Sequence, residues 1–423
     1  MATTLPGAPT LGSMSNLEDQ RGNRVEELRA LRVVEVPVGP ASVTAVWEPL
    51  GEALAGKATI ALIPDSSSPA AVVDSIIRAV QPQLPVSADV AVVLSTSGST
   101  GHPRGVQLSN TALTCMTEHI NALAGGDPTW ILAIPATSIG GLNVLIRARA
   151  TGREPIAVSS LGGAERFTAD AFASAVSDAK DLGRPIAVSL VPAQLPRLLA
   201  TTEGRSALAE CALILVGGAA LTPHAARDCQ SAGITVTTTY GMTETSGGCV
   251  MNGEPLPGVQ IRIDETDGRI HLSGPMLASG YRDGANEVFS DRWLRTNDRG
   301  RWNSGRLDIL GRLDDIVTVQ GVNVDLVAVE DRLLDHPKIS SALALPIADE
   351  QASDTRIHIA YVGEVVNLDD MKSWVAQALG VSAAPHQCHR LDSFAMTASG
   401  KVDRIATAHT LGLTVADAED EVL

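Results

Sequence analysis

The amino-acid sequence predicts an α/β protein: a large N-terminal domain of α/β layers with parallel sheets and a small antiparallel β subdomain, then a small α+β C-terminal domain. Three observations carry this. Short apolar runs alternate with Ala-rich amphipathic stretches from about residue 26 to residue 315, the rhythm of βαβ units. Beyond Gly253 that rhythm changes to short strands separated by turns. The chain has 423 residues, too many for one typical domain, and is 44% hydrophobic but only 3% aromatic, so its core must be aliphatic.

In chain order, residues 1–25 are polar and contain Gly, Pro and Ser, and are expected to form a flexible N-terminal segment. They hold neither a basic stretch nor an apolar core, so no signal peptide is expected. Residues 89–94 (Asp-Val-Ala-Val-Val-Leu) read as a buried strand, as do 130–135, 186–190 and 212–216. Residues 170–180 and 222–231 read as helices covering the sheet. The turn-separated strands are 259–263, 269–272 and 306–311. A strand at 315–320, a helix at 326–334, strands at 342–346 and 357–362 and a helix at 368–379 make the last module. The expected division is 26–313 for the N-terminal domain and 315–423 for the C-terminal one, with Asp314 between them. The acidic residues 417–421 read as a solvated end.

The residues suited to chemistry fall in five stretches. The first is Ser95-Thr96-Ser97-Gly98-Ser99-Thr100-Gly101-His102-Pro103-Arg104-Gly105, directly after the strand at 89–94. Its glycines let successive N–H groups turn inward as an anion nest, its hydroxyls add donors, and Arg104 adds a cation, a combination suited to phosphate. It is not a Walker loop, because neither Gly56-Lys57 nor Gly400-Lys401 is followed by Ser or Thr. The second, Thr237-Thr238-Thr239-Tyr240-Gly241-Met242-Thr243-Glu244-Thr245, follows strand-like residues 234–236 and places hydroxyls, a glycine and a carboxylate in one loop. The hard oxygens of Glu244 suit Mg²⁺. The others are Arg295-Thr296-Asn297-Asp298-Arg299-Gly300, Leu310-Gly311-Arg312-Leu313-Asp314-Asp315-Ile316 and Met396-Thr397-Ala398-Ser399-Gly400-Lys401-Val402-Asp403-Arg404. Read alone, Asn297-Asp298 is a turn signal and Gly400-Lys401 a solvated turn.

In order and spacing the five stretches resemble the adenylate-forming superfamily of acyl-CoA ligases, luciferases and peptide-synthetase adenylation domains, over roughly residues 85–405. The resemblance implies a C-terminal domain that is mobile and pivots at Asp314. It implies that Thr96, Ser97, Gly98, Ser99, Thr100 and Gly101 cradle the phosphates of ATP, and that Gly218, Ala219 and Ala220 lie against adenine. Thr239, Tyr240, Gly241, Met242 and Thr243 would complete the nucleotide site, with Tyr240 stacked on the base and Thr243 touching the α-phosphate. Glu244 would hold Mg²⁺, Asp298 the ribose hydroxyls and Arg312 the nucleotide. Lys401 would be catalytic together with Arg104 and Thr243, its ammonium bridging the incoming carboxylate and the α-phosphate. The chain departs from the family pattern at Arg104 and Thr318 (Lys in the family), Asn297 (Gly), Leu326 and Ala395 (Pro) and Ala328 (Glu). The implied reaction joins a carboxylic acid to coenzyme A through an acyl-adenylate, using ATP.

Within the superfamily, Ser189-Leu190-Val191-Pro192-Ala193-Gln194-Leu195-Pro196-Arg197-Leu198-Leu199 resembles the S-L-V-P-T-Q-L-x-R-L-L segment of the o-succinylbenzoate–CoA ligases of menaquinone biosynthesis. Ile214-Leu215-Val216-Gly217-Gly218-Ala219-Ala220-Leu221 is similar to their L-L-G-G-A-A-I stretch. The front half, about 94 residues before the phosphate loop, is short and suits the compact actinobacterial members. An aromatic dicarboxylate needs a flat apolar slot and a cation for the carboxylate that is not activated; Arg197 is the candidate cation. Ser138, Gly140, Gly141, Ser189, Gly241 and Gly247 are the candidate pocket residues, Ser138 standing where many acyl-CoA ligases carry His. The alternatives are an acyl-CoA ligase for another small or aryl acid, and a carrier-protein-loading adenylation enzyme. The latter would be accompanied by a phosphopantetheine serine motif downstream, which the sequence lacks.

A net charge of −16 argues against nucleic acid and anionic membranes as partners. No apolar run reaches membrane-spanning length. The expected partners are therefore small molecules (the acid, ATP and coenzyme A), and a homo-oligomer is left open. Five dispersed cysteines read as reduced thiols, which points to the cytoplasm. His386, Cys388 and His389 cluster without an evident fourth metal ligand.

Overall fold

Continuous aliphatic runs become central strands when both of their faces are covered. The computed structural model describes residues 27–96, 103–161, 167–349, 354–395 and 402–416. Ile186–Leu190 is buried at every position, and it sits inside a seven-stranded sheet. The order is Glu254–Pro255, Gly247–Met251, Thr237–Met242, Cys211–Val216, Ile186–Leu190, Thr129–Leu132, Ile156–Ala157. The strands from Thr237–Met242 to Ile156–Ala157 are parallel; the two at the other edge are antiparallel. Alternation along the strands splits the core. Ile131, Val188 and Ile214 face Phe172 of helix Ala169–Lys180 together with Leu198 and Leu208. Trp130, Leu132, Ala187 and Leu215 face the other way, toward Leu142 and Leu145 of helix Ile139–Ala150.

A second sheet, ordered Gly280–Tyr281, Gly105–Ser109, Val90–Ser95, Thr59–Pro64, Leu31–Val36, is parallel over its last three members. Helix Ala41–Leu54 covers it and packs on Ile139–Ala150, which therefore lies between the sheets, buried from Gly141 to Ala148. An antiparallel sheet follows, Gln260–Ile263, Arg269–Ser273, Trp293–Asn303, Phe289–Ser290, with Arg306–Arg312 also paired to Trp293–Asn303. The last elements have their own core around Leu326, Val329, Ile357, Ile359 and Met371. They are a hairpin (Ile316–Val319 with Val322–Asp325), helix Leu326–Leu334, a sheet of Ile339–Asp349, Asp354–Gly363 and Gln387–Arg390, and helix Leu368–Leu379. Parallel layers, an antiparallel β unit and an α+β module are the architecture expected from the sequence.

Two segments differ from the sequence reading. Residues 234–236 are not a strand; Thr237–Met242 is, so the second motif is extended rather than looped and only Thr243–Thr245 turns. Its β-branched threonines favour a pleated backbone, and it is paired on both sides. Asp298, preceded by an apparent turn signal, lies inside the eleven-residue strand Trp293–Asn303, which bulges between Arg299 and Gly300. Long-range pairing overrides the local preference there. All five cysteines are free thiols. Among the described residues no helix is long and apolar enough to cross a membrane.

Candidate active site

The C-terminal ends of the parallel strands form a rim, the usual location of a ligand crevice in an open α/β sheet. The loop after Cys211–Val216 presents Gly218, Ala219 and Ala220, all exposed. Beside it Thr239 donates to the Val216 carbonyl (3.4 Å). The Tyr240 hydroxyl donates to Asp298 Oδ2 (2.8 Å). Arg312 Nη1 lies 3.6 Å from Asp298 Oδ1, while its Nη2 donates to Asp314 Oδ2 (2.5 Å). Asp298 is held from below: its N–H donates to Thr296 Oγ1 (3.1 Å), and that hydroxyl donates to the Ile270 carbonyl (2.8 Å). Burial, reinforced by the Asp298 carboxylate, holds the Tyr240 phenol above its ordinary value, so it stays a donor. Tyr240, Asp298, Arg312 and Asp314 thus form one bonded series from the parallel sheet to the start of the C-terminal module.

Glu244 sits in the turn Thr243–Thr245, which is fixed by Met242 N–H donating to Thr245 Oγ1 (2.9 Å). The Tyr281 hydroxyl donates to Glu244 Oε1 (2.8 Å). Burial first, then the neighbouring Glu244, raises the Tyr281 phenol, which keeps that donor protonated. The Arg104 guanidinium lies 3.5 Å from the Tyr281 ring centroid and donates to both Asp283 oxygens, each at 2.8 Å. That pair holds the Asp283 carboxyl below the usual carboxylate range. Glu244 itself makes no ion pair with a described residue, so a hard anionic oxygen remains for a divalent cation. Thr96 and Arg104 close the first motif into a loop, Thr96 N–H donating to the Arg104 carbonyl (2.9 Å). Residues 97–102, including Ser97, Gly98, Ser99, Thr100 and Gly101, lie outside the described residues, as does Lys401. The ends of the Lys401 segment are joined as well, Asp403 N–H donating to the Ala395 carbonyl (2.8 Å). Arg404 pairs with Asp315 and with Glu330 (3.0 Å), whose carboxyl burial pushes up to about 7 against the pull of that arginine.

The candidate acid-pocket residues are spread more widely. Ser138 caps helix Ile139–Ala150, accepting from Gly141 N–H (3.3 Å). A Cβ on Gly141 would lie 2.2 Å from the Pro135 carbonyl oxygen, so packing alone requires glycine there, while Gly140 faces Ile134. Gly241 pairs with Gly248 across the sheet, and Gly247, at φ +103°, abuts Asn143. Ser189 is buried, whereas Arg197 is exposed on helix Leu195–Leu199 and makes no ion pair with a described residue.

Sequence reasoning passed over Arg147. It is 6% exposed on helix Ile139–Ala150, 5.2 Å from the Trp130 ring centroid, with Nη1 donating to Ser189 Oγ at 3.5 Å. Burial pulls its guanidinium down to about 10. It lines a narrow crevice of about 10 Å³, room for one water, with Asn143, Thr245, Ser246, Gly248 and Met276. The available signal was an arginine directly after the mostly apolar helical run 139–146.

Parallel strands ending in a rim of hydroxyls and carboxylates, with an α+β module beside it, define a nucleotide-binding α/β enzyme. Residues 26–282 match the AMP-binding enzyme family, and the chain belongs to that family. A probable 2-succinylbenzoate–CoA ligase of Mycobacterium tuberculosis (strain ATCC 25618 / H37Rv) is 34% identical over 385 residues, 89% of this chain and 97% of that protein. A 2-succinylbenzoate–CoA ligase of Bacillus cereus (strain Q1) is 26% identical, covering 75% of this chain and 69% of that one. Among solved structures, o-succinylbenzoate CoA synthetase from Bacillus subtilis, in complex with its acyl-adenylate intermediate, shares the fold with a TM-score of 0.67 at 23% identity, over 88% and 87% of the two chains. The amide bond synthetase McbA from Marinactinospora thermotolerans does so with a TM-score of 0.70 at 22% identity, over 90% of each.

Proposed function

We propose that this chain is an acid–thiol ligase that converts o-succinylbenzoate, ATP and coenzyme A to o-succinylbenzoyl-CoA, AMP and diphosphate, a step of menaquinone biosynthesis. The observation that carries the reaction class is the bonded set Tyr240, Asp298 and Arg312 at the strand ends, with Glu244 just beyond Tyr240. The choice of acid is supported by likeness to the M. tuberculosis relative over 97% of that protein's length.

In the first step a carboxylate oxygen of the acid attacks the α-phosphorus. The bond to the β-phosphate bridging oxygen breaks, diphosphate leaves and an acyl-adenylate remains. Two anions meet in this step, so cations lower its barrier: Lys401 between carboxylate and α-phosphate, with Arg104 and Arg312 about the nucleotide. Thr243 donates to the α-phosphate and Asp298 accepts from the ribose hydroxyls. Glu244, with no ion-pair partner among the described residues, would hold magnesium, which when bound supplies charge neutralisation on the triphosphate. In the second step the sulfur of coenzyme A attacks the acyl carbon, its thiol proton is released, and AMP departs. Asp314 is the pivot between residues 26–313 and 315–423, whose rotation withdraws Lys401 and admits the thiol.

Purified protein given ATP, Mg²⁺, coenzyme A and a panel of acids should form thioester and AMP with o-succinylbenzoate in preference to the others. Absence of AMP with every acid would sink the reading. Lys401→Ala should slow diphosphate release by about 100-fold or more while ATP still binds; an unchanged rate removes Lys401 from the mechanism.

A further inference from the structure

We propose that Arg269 is a positioning residue for the nucleotide: its guanidinium grips Thr296 and Asn297 and so aims Asp298 at the ribose hydroxyls. The inference rests on the ligase reading above, in which Asp298 accepts from those hydroxyls, and adds the residue that holds it to that task.

Strands Arg269–Ser273 and Trp293–Asn303 are aligned at His271 with Arg295 and at Arg269 with Arg299. Between those pairs the first strand advances from 269 to 271 and the second from 295 to 299, so part of Thr296–Asp298 leaves the regular ladder. A segment out of register needs other bonds to hold one conformation. Thr296 supplies one set through its hydroxyl, which accepts from Asp298 N–H (3.1 Å) and donates to the Ile270 carbonyl (2.8 Å). Arg269 supplies the other. Its Nη1 donates to the Thr296 carbonyl (2.9 Å) and to Asn297 Oδ1 (2.7 Å), so it holds both residues that precede Asp298.

The guanidinium is itself fixed. The Arg269 side chain is 16% exposed; its Nε donates to Asp267 Oδ2 (3.2 Å), and its backbone N–H donates to Asp267 Oδ1 (2.9 Å). That carboxylate balances the charge, and a planar fork can serve Asp267 on one edge and the displaced segment on another. Asn297 is the matching half. The resembled family has Gly there, yet Asn297 lies outside the left-handed backbone region, so its amide and not conformational freedom explains it. A carboxylate that accepts from two hydroxyls must be set to within about 0.5 Å. Tyr240 and Arg312 act on its oxygens, and Arg269 fixes the backbone that carries it.

The test is titration of the full chain, with Mg²⁺ and without acid, by ATP and by 2′,3′-dideoxy-ATP, which lacks both ribose hydroxyls. Wild type should bind ATP more tightly. Arg269→Met should weaken ATP binding roughly 3- to 30-fold while leaving dideoxy-ATP within about twofold, because only the hydroxyl contacts depend on the aim of Asp298. Asn297→Ala, at an exposed position, should weaken ATP about two- to fivefold with the same selectivity, and Arg269→Lys should recover part of the loss. In an Asp298→Ala background Arg269→Met should have no further effect. Equal weakening of both nucleotides would make Arg269 structural and overturn the proposal. So would unchanged ATP binding in both Arg269→Met and Asn297→Ala. A wild type that binds the two nucleotides equally refutes Asp298 as the ribose acceptor, and the positioning role with it; the ligase reading itself fails only if no AMP forms with any acid.

Discussion

Glu244 is oriented from 37 residues away, by the hydroxyl of Tyr281. Tyr281 is in turn clamped by the Arg104 guanidinium over its ring and by the edge of Phe289, 5.5 Å between centroids. The carboxylate is thereby held in one orientation, and for the magnesium ligand proposed above such a supporting contact would raise metal affinity. Tyr281→Phe keeps the ring and removes only the donor. Half-saturating Mg²⁺ for diphosphate release should rise roughly 3- to 10-fold, with KM for the acid unchanged. A raised KM with an unaltered Mg²⁺ curve would assign Tyr281 to packing. Arg104, where the resembled family has Lys, fits the same arrangement, because only a planar guanidinium can stack on the ring and bridge both Asp283 oxygens.

Among the elements, strand Asp354–Gly363 carries a pH-sensitive seam. His358 on it is buried, its ring stacked 5.5 Å from His389, with His386 at 5.7 Å and Arg356 bonded to His386. Burial, then the neighbouring imidazoles and Arg356, pulls His358 down to about 4. The unfolded chain binds this proton near the ordinary histidine value and the folded chain does not. Its contribution to stability is therefore complete above about pH 6.5 and is lost as pH falls toward 4. Urea unfolding from pH 7 to pH 4 should show wild type losing up to about 3 kcal/mol more than His358→Leu over that window. Parallel pH profiles would show that His358 does not titrate with folding. Of the cluster His386, Cys388 and His389, the two histidines pack on His358 while the Cys388 thiol contacts Met371 Sδ (3.0 Å), and no group of three metal-binding side chains is found among the described residues.

At the scale of the molecule, one ion pair ties the antiparallel sheet to the C-terminal module and another ties it to Asp314. Arg299 pairs with Asp325, whose other oxygen caps helix Leu326–Leu334, and Arg312 pairs with both Asp298 and Asp314. If the module turns about Asp314 between the two half-reactions, the backbone at Leu313–Asp315 must change conformation. Asp314→Pro fixes one dihedral there and disfavours helical geometry at Leu313. Diphosphate release in a single turnover should be largely retained while thioester formation slows at least about tenfold. Equal slowing of both steps would argue that Asp314 serves the nucleotide and not the rotation.

Most of the succession of strands and helices was legible in the sequence, because hydrophobic period and turn chemistry are local properties. Helices Leu326–Leu334 and Leu368–Leu379 coincide with their expected ranges for that reason. It also determined the family, since ordered motifs survive without any knowledge of contacts. The features that sequence left open depend on residues distant in the chain. Thr237–Met242 is a strand because two neighbours pair with it, and Tyr281 reaches Glu244 because Gly280–Tyr281 pairs with Gly105–Ser109. How exposed each arginine is was likewise set by packing: Arg197 lies at the surface of helix Leu195–Leu199, while Arg147 lies buried between the sheets with no carboxylate partner among the described residues.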